Sequence, residues 1–280
     1  STHLTFLRLC QQKPDHLAKI LQIARKPDQL DNFAMGIVAM RKPFLFVAGI
    51  FFVVVGLLPG YAQAEMYWGN FSLSYLDGAD YEVGDRSRQV LTVEHASGHN
   101  WGDNFFFLDH LKYDDGTVTS YFELAPRLSF SYLTSSDLSA GILKDVFIAS
   151  TWEGGQGFNN YLLGLGVALD LPGFKYFGVN LYRANNKLWE DDDQVTITWG
   201  VPFSLGGAEF LYDGFLDYSD SSDTNEAEMN FTSQLKWNAG KLVGSKSPFY
   251  LGLEYAYWTN KFGIDGVDEK NPCLLVKWHF

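Results

Sequence analysis

Between Tyr121 and Thr134 apolar and polar side chains alternate along the chain. Phe122, Leu124, Pro126, Leu128, Phe130 and Tyr132 share one parity, and Glu123, Ala125, Arg127, Ser129 and Ser131 share the other. Successive side chains of a strand point to opposite faces, so the stretch predicts one long strand with a greasy face and a charged one. Eleven further runs read the same way, giving strands near 67–76, 88–95, 102–111, 119–133, 139–152, 159–170, 174–184, 194–202, 207–216, 229–238, 248–258 and 272–280. Val195, Ile197, Trp199 and Val201 oppose Thr196, Thr198 and Gly200, while Leu251, Leu253, Tyr255 and Tyr257 oppose Gly252, Glu254 and Ala256.

Composition bears on which solvent the greasy faces meet. The chain has 280 residues, 16% of them aromatic, and 27 glycines, with a mean hydropathy of -0.10. That is too polar for a helical membrane protein and too aromatic for an ordinary soluble domain. Alternating strands of a membrane barrel produce such an average, because lipid-facing and lumen-facing residues cancel. The expected fold is an all-β transmembrane antiparallel barrel of about twelve strands over residues 65–280, an even number whose runs are long enough to cross when tilted. The polar parity then faces the lumen, and Glu123, Arg127, Asp109, Asn180, Tyr182, Phe215 and Glu254 are the candidate lining residues. They either contact a solute or satisfy one another.

The connections agree with this register. Those near 77–87, 112–118, 153–158, 185–193, 217–228 and 258–271 carry most of the acidic residues, whereas the alternate turns near 96–101, 134–138, 171–173, 203–206 and 239–247 contain only Asp137. The acidic set is expected on the outside of the cell. The closing run Cys273 to Phe280 places Leu274, Val276, Trp278 and Phe280 on one face, a pattern that resembles the terminal signal read by the barrel assembly machinery.

Residues 1–39 differ in character from the rest of the chain and read as a non-native upstream extension. Met40-Arg-Lys-Pro43 is a charged start, Phe44 to Leu58 an unbroken apolar run, and Ala62-x-Ala64 a cleavage-type end. Together they predict a cleavable secretory signal over 40–64 rather than a membrane helix. Residues 1–64 hold seven Lys/Arg against three Asp/Glu, so residues 65–280 are more acidic than the -12 of the whole chain. This disfavours nucleic acid as a partner. Cys10 and Cys273 imply no disulfide framework.

Other chemistry is thinly supported. His95, His99, His110 and His279 are scattered, Gly154 to Gly157 lacks the Lys-Ser/Thr of a phosphate loop, and no serine sits in a nucleophile setting; no metal, cofactor or enzymatic activity is expected. The acidic runs Glu190 to Asp193 and Asp217 to Glu228 read as solvated loops, bridged to lipopolysaccharide by divalent cations, rather than as calcium sites.

Glu123-x-x-Pro126-Arg127-x-Ser129, followed by Leu133-Thr134-x-x-Asp137-Leu138-Ser139, resembles the nucleoside-specific outer-membrane channels of the Tsx family, and more closely their vibrio-type OmpK relatives. Trp101 to Asp109 is similar to the segment that precedes it there. The resemblance implies a monomeric twelve-strand barrel in the bacterial outer membrane, passing nucleosides by passive, selective diffusion and serving some bacteriophages as a receptor. The alternatives are a structural or receptor barrel without specific transport, and a barrel lipid hydrolase.

Overall fold

The computed structural model describes residues 64–280. The extension at 1–39 and the leader at 40–64, but for its last residue, lie outside them. Twelve strands run β1 (Met66–Gly78), β2 (Arg88–His99), β3 (Gly102–Tyr113), β4 (Val118–Ser129), β5 (Leu143–Gly155) and β6 (Phe158–Leu169). They continue with β7 (Tyr176–Asn185), β8 (Asp193–Leu205), β9 (Ala208–Ser219), β10 (Glu228–Asn238), β11 (Phe249–Thr259) and β12 (Glu269–His279). Each pairs antiparallel with its sequence neighbours, and β1 pairs with β12 from Ser72↔His279 to Gly78↔Cys273, closing the barrel. Closure leaves no strand edge, so the backbone groups of the ladder find partners without water.

The exterior is apolar. In β12 every second residue is buried, Glu269, Asn271, Cys273, Leu275 and Lys277, while Leu274, Val276 and Trp278 are exposed. Leu165 and Leu181, directly paired across β6 and β7, are 56% and 57% exposed to the outside. Aromatic pairs stand near both ends: Phe203 and Phe210 stack at 5.2 Å beside the β8–β9 turn, and Trp152 stacks on Tyr161 at 6.3 Å toward the opposite rim. Large exposed apolar side chains around a closed barrel, with aromatics toward the rims, are the surface a bilayer requires. Gly164 lets β6 approach β7, since a Cβ there would meet the Leu181 carbonyl oxygen at 1.7 Å.

The twelve runs lie where the alternation predicts, with one substantive correction. The run 119–133 is not a single strand. β4 ends at Ser129, and Phe130–Thr134 forms a short helix, α1. Ser129 Oγ accepts the Tyr132 amide at 3.0 Å, and Ser135 closes the turn in the left-handed region at φ 51°. A serine cap competes with the ladder for the backbone, and alternation cannot register that competition. Phe130 and Tyr132 therefore leave the lipid-facing row. β5 then starts at Leu143, four residues later than expected. The 130–142 connection is accordingly longer than the 114–117 and 156–157 loops, so the contrast between long loops and short turns is weaker than the sequence suggests, and Asp170 joins Asp137 on the turn side.

Pro126 faces outward within β4. Its missing N–H opens the ladder to β5 between Leu124↔Trp152 and Arg127↔Ala149, and Ser150 Oγ donates to its carbonyl at 3.0 Å. A proline inside a paired strand costs a ladder bond, and here a neighbouring hydroxyl satisfies the acceptor.

Candidate functional site: the barrel lumen

All seven candidate lining residues fall on the inward parity, in three separate groups. Arg127 belongs to the first. Its Nε and Nη2 grip both Asp103 oxygens at 2.8 and 2.6 Å, Nη1 reaches Asn180 Oδ1 at 3.3 Å, and the guanidinium lies 4.4 Å over the Phe147 ring. Tyr182 packs beside them with Ala149, Leu162 and Ala184, its hydroxyl 3.5 Å from Thr151 Oγ1. Glu123 is not the partner of Arg127. Four residues along one strand put the two about 13 Å apart, whereas Asp103 is directly across the ladder. A cavity of about 360 Å³ opens near this group toward the turn end, with Trp68, Asp103, Ser129, Asp145 and Phe147 in its wall.

The second group is a wall of carboxylates nearer the loop end. Glu123 sits directly opposite Glu153, accepts from the Tyr121 hydroxyl, and has no basic partner among the described residues; Asn160 donates to Glu153 at 3.0 Å. Asp217 accepts from Thr196 at 2.5 Å. The alternation pattern puts Asp217 in an outer loop, but β9 runs on to Ser219 and aims it inward. Glu228 likewise lies on β10 and accepts from Trp258 Nε1 and the amides of Phe262 and Gly263. Phe215 faces inward between Thr198 and Thr232.

The third group carries the lysines. Lys277 pairs with Glu94, which Ser72 and Ser74 also reach. Lys236 donates to Asp213 at 2.7 Å and to Gln234 at 3.0 Å, and Gln234 donates on to Glu254 at 2.7 Å. Thr92 donates to Asp109 at 2.6 Å. β9 and β10 lie about half a circuit from β4 and β5, so Asp217 and Glu228 face Glu123 and Glu153 across the lumen, and Lys236 lies farther along β10 toward the turn end.

Along the acidic wall runs a file of rings. Phe105 and Phe107 are 6.0 Å apart, Phe107 and Tyr121 5.7 Å, and Tyr121 and Phe158 6.1 Å. Neither this file nor Asp103, Glu94, Glu153, Lys236 and Lys277 is among the lining residues singled out from the sequence. The parity that selects Asp109 on β3 also selects Asp103, Phe105 and Phe107, so that signal is present in the chain. Which of them meet across strands depends on register.

At the loop end, buried Asp192 is pushed up to about 6 by burial and by the nearby Asp220 and Glu228 carboxylates, against the hydrogen bond from Asn186. Glu190 and Asp191 accept from the Asp223 amide and from Asn185 and Asn186, so this acidic run is a hydrogen-bonded loop.

A closed twelve-strand barrel with an apolar exterior and a charged, ring-lined interior is the architecture of an outer-membrane channel. Residues 65–272 match the family model described as nucleoside-specific channel-forming protein, Tsx, and the chain belongs to that family. It is 29% identical over 171 residues to outer membrane protein OmpK of Vibrio parahaemolyticus, covering 54% of this chain and 63% of that one. It is 24% identical over 254 residues to the nucleoside-specific channel-forming protein Tsx of Klebsiella aerogenes, covering 78% and 85%. With the Escherichia coli O157:H7 Tsx it shares 29% over 199 residues, covering 62% and 67%. The chain thus spans somewhat under two thirds of the OmpK sequence it matches. The protein is an outer-membrane barrel, and its family is a class of channels rather than of enzymes.

Proposed function

We propose that the barrel passes nucleosides by passive diffusion, selecting them by stacking bases on the Phe105, Phe107, Tyr121 and Phe158 file. The observation that carries this reading is that file beside a carboxylate wall. Rings offer a sequence-tolerant stacking surface worth roughly 1–3 kcal/mol per base, and carboxylates accept hydrogen bonds from ribose hydroxyls. Sites of that strength hold a solute long enough to favour its entry and weakly enough to release it. An excess of carboxylates over lysines disfavours phosphorylated solutes, which bring negative charge into a negative field. Orienting the acidic loops outward places that field at the point of entry.

The test is block of single-channel current. Adenosine and thymidine are expected to interrupt the current and AMP to have little effect, with Phe107→Ala weakening adenosine block about tenfold, the equivalent of one stack. Equal block by AMP, or unaltered block in Phe107→Ala, would refute the reading. The barrel works as a monomer embedded in lipid and lipopolysaccharide after insertion by the assembly machinery, and its outer loops serve as a bacteriophage receptor. Support for the receptor role comes from the hydrogen-bonded acidic loop at 186–192, and phage adsorption to cells lacking that loop tests it.

A further inference from the structure

We propose that the β1–β2 loop, residues 79–87, is a fixed plug inside the loop-end mouth, and that Tyr81, clamped by Arg88, sets the size limit of the channel. The proposal rests on the channel reading and adds to it which side of the mouth is closed.

Leu76, Val90, Cys273 and Leu275 are all buried and all on the inward parity of β1, β2 and β12, where a lumen would otherwise expose them to water. Tyr81 and Leu111 pack against this patch. The loop therefore folds into the barrel rather than over its rim, because covering inward apolar surface is what its aromatic side chain gains there.

Three contacts to β12 hold it. Asp80 N donates to Asn271 Oδ1 at 3.1 Å, Glu82 N to Glu269 Oε2 at 3.0 Å, and the Tyr81 hydroxyl lies 3.6 Å from Cys273 Sγ. Arg88 then clamps the loop from within. Its Nη2 donates to the Val83 and Asp85 carbonyls, and its guanidinium stands 3.8 Å from the Tyr81 ring centroid and 4.6 Å from that of Tyr113. On the other flank, Lys261 of the β11–β12 loop donates to Glu269 at 2.6 Å, a pair whose side chains are 6% and 2% exposed. The side chains that hold the loop from β2 and β12, namely Arg88, Glu269, Asn271 and Cys273, are all buried, and the Asp115 amide adds an exposed bond to Asp85 Oδ2 at 3.0 Å. The mouth is filled on the β12, β1 and β2 side. Solute is confined to the opposite side, past Glu123, Glu153, Asp217 and the Tyr121–Phe158 rings.

The test uses the full chain in a Cys10→Ser background, with Cys273 as the reporter thiol, reconstituted in bilayers and liposomes. Tyr81→Ala is expected to raise potassium chloride conductance severalfold, to admit trisaccharides that the unaltered barrel excludes, and to speed maleimide labelling of Cys273. Tyr81→Phe, which keeps the ring over Arg88, should behave as the unaltered protein. Asn271→Ala loosens the same loop without touching Tyr81 and should shift all three readouts in the same direction, which guards against a folding defect peculiar to Tyr81→Ala. Unchanged conductance and sugar cut-off in well-folded Tyr81→Ala and Asn271→Ala would overturn the proposal, even if labelling accelerates. None of the readouts involves a nucleoside, so failure here is separable from failure of nucleoside selection.

Discussion

Replacing Arg127 by methionine distinguishes a structural brace from a solute contact. Arg127 and Asp103 are joined by two charge-assisted hydrogen bonds, at 2.8 and 2.6 Å, and their side chains are 18% and 30% exposed. Breaking a fully buried pair by removing one member costs about 3–5 kcal/mol, because the other charge is left without a partner. Partial contact of Asp103 with water lowers that figure to about 2–3 kcal/mol, and loss of the guanidinium above Phe147 adds about 0.5–1 kcal/mol. Arg127→Met should therefore lose about 3 kcal/mol of stability, read as an earlier midpoint of urea unfolding in lipid vesicles by tryptophan fluorescence. Asp103→Asn placed on top should recover more than half of the loss, since the unpaired charge is its main cause. Adenosine block by the refolded variant should stay within about twofold of the unaltered barrel, a shift of roughly 0.4 kcal/mol. An unaltered unfolding midpoint together with abolished nucleoside block would refute the reasoning and make Arg127 a solute contact.

Three further outcomes are expected from the same geometry. Lys236, with a side chain 2% exposed against Asp213 at 15%, is more deeply held, so Lys236→Met should cost about 3–5 kcal/mol in the same unfolding assay, and Asp213→Asn added to it should restore part of that. Leu165→Arg, at a site 56% exposed on the outer surface, should cost about 2–4 kcal/mol in a bilayer if it lies near the midplane; a negligible cost would contradict a lipid-facing wall. Asp192 titrates near 6 in the folded loop, above the ordinary value of about 3.9. Its charged form is thus penalised above pH 6, and the penalty is released as pH falls through 6 toward 4. Hydrogen exchange in the 186–192 loop should slow between pH 7 and 5, after correction for the intrinsic rate, and Asp192→Asn should remove that change.

Alternation located the strands and their faces, and composition with the one-sided acidic connections made them a membrane barrel. Period-two patterning separates two faces wherever a strand lies between lipid and water, and it placed the twelve strands to within a few residues at their ends and the inward direction of Glu123, Arg127, Asp109, Asn180, Tyr182, Phe215 and Glu254, because side-chain direction is a local property of extended backbone. The motif around Pro126 and Arg127 likewise sufficed to suggest the family. What the chain could not reveal by itself was which inward groups meet. Arg127 joins Asp103 and not Glu123, and Glu254 is tied through Gln234 to the lysine belt, because register and closure bring together residues far apart in sequence. The same holds at the ends of strands, where the Ser129 cap stops β4 early and where β9 and β10 carry Asp217 and Glu228 into the lumen. The inward apolar patch beneath Tyr81 was invisible for the same reason: Leu76 and Val90 come from the β1–β2 hairpin, and Cys273 and Leu275 of β12 join them only once the two ends of the sheet are closed.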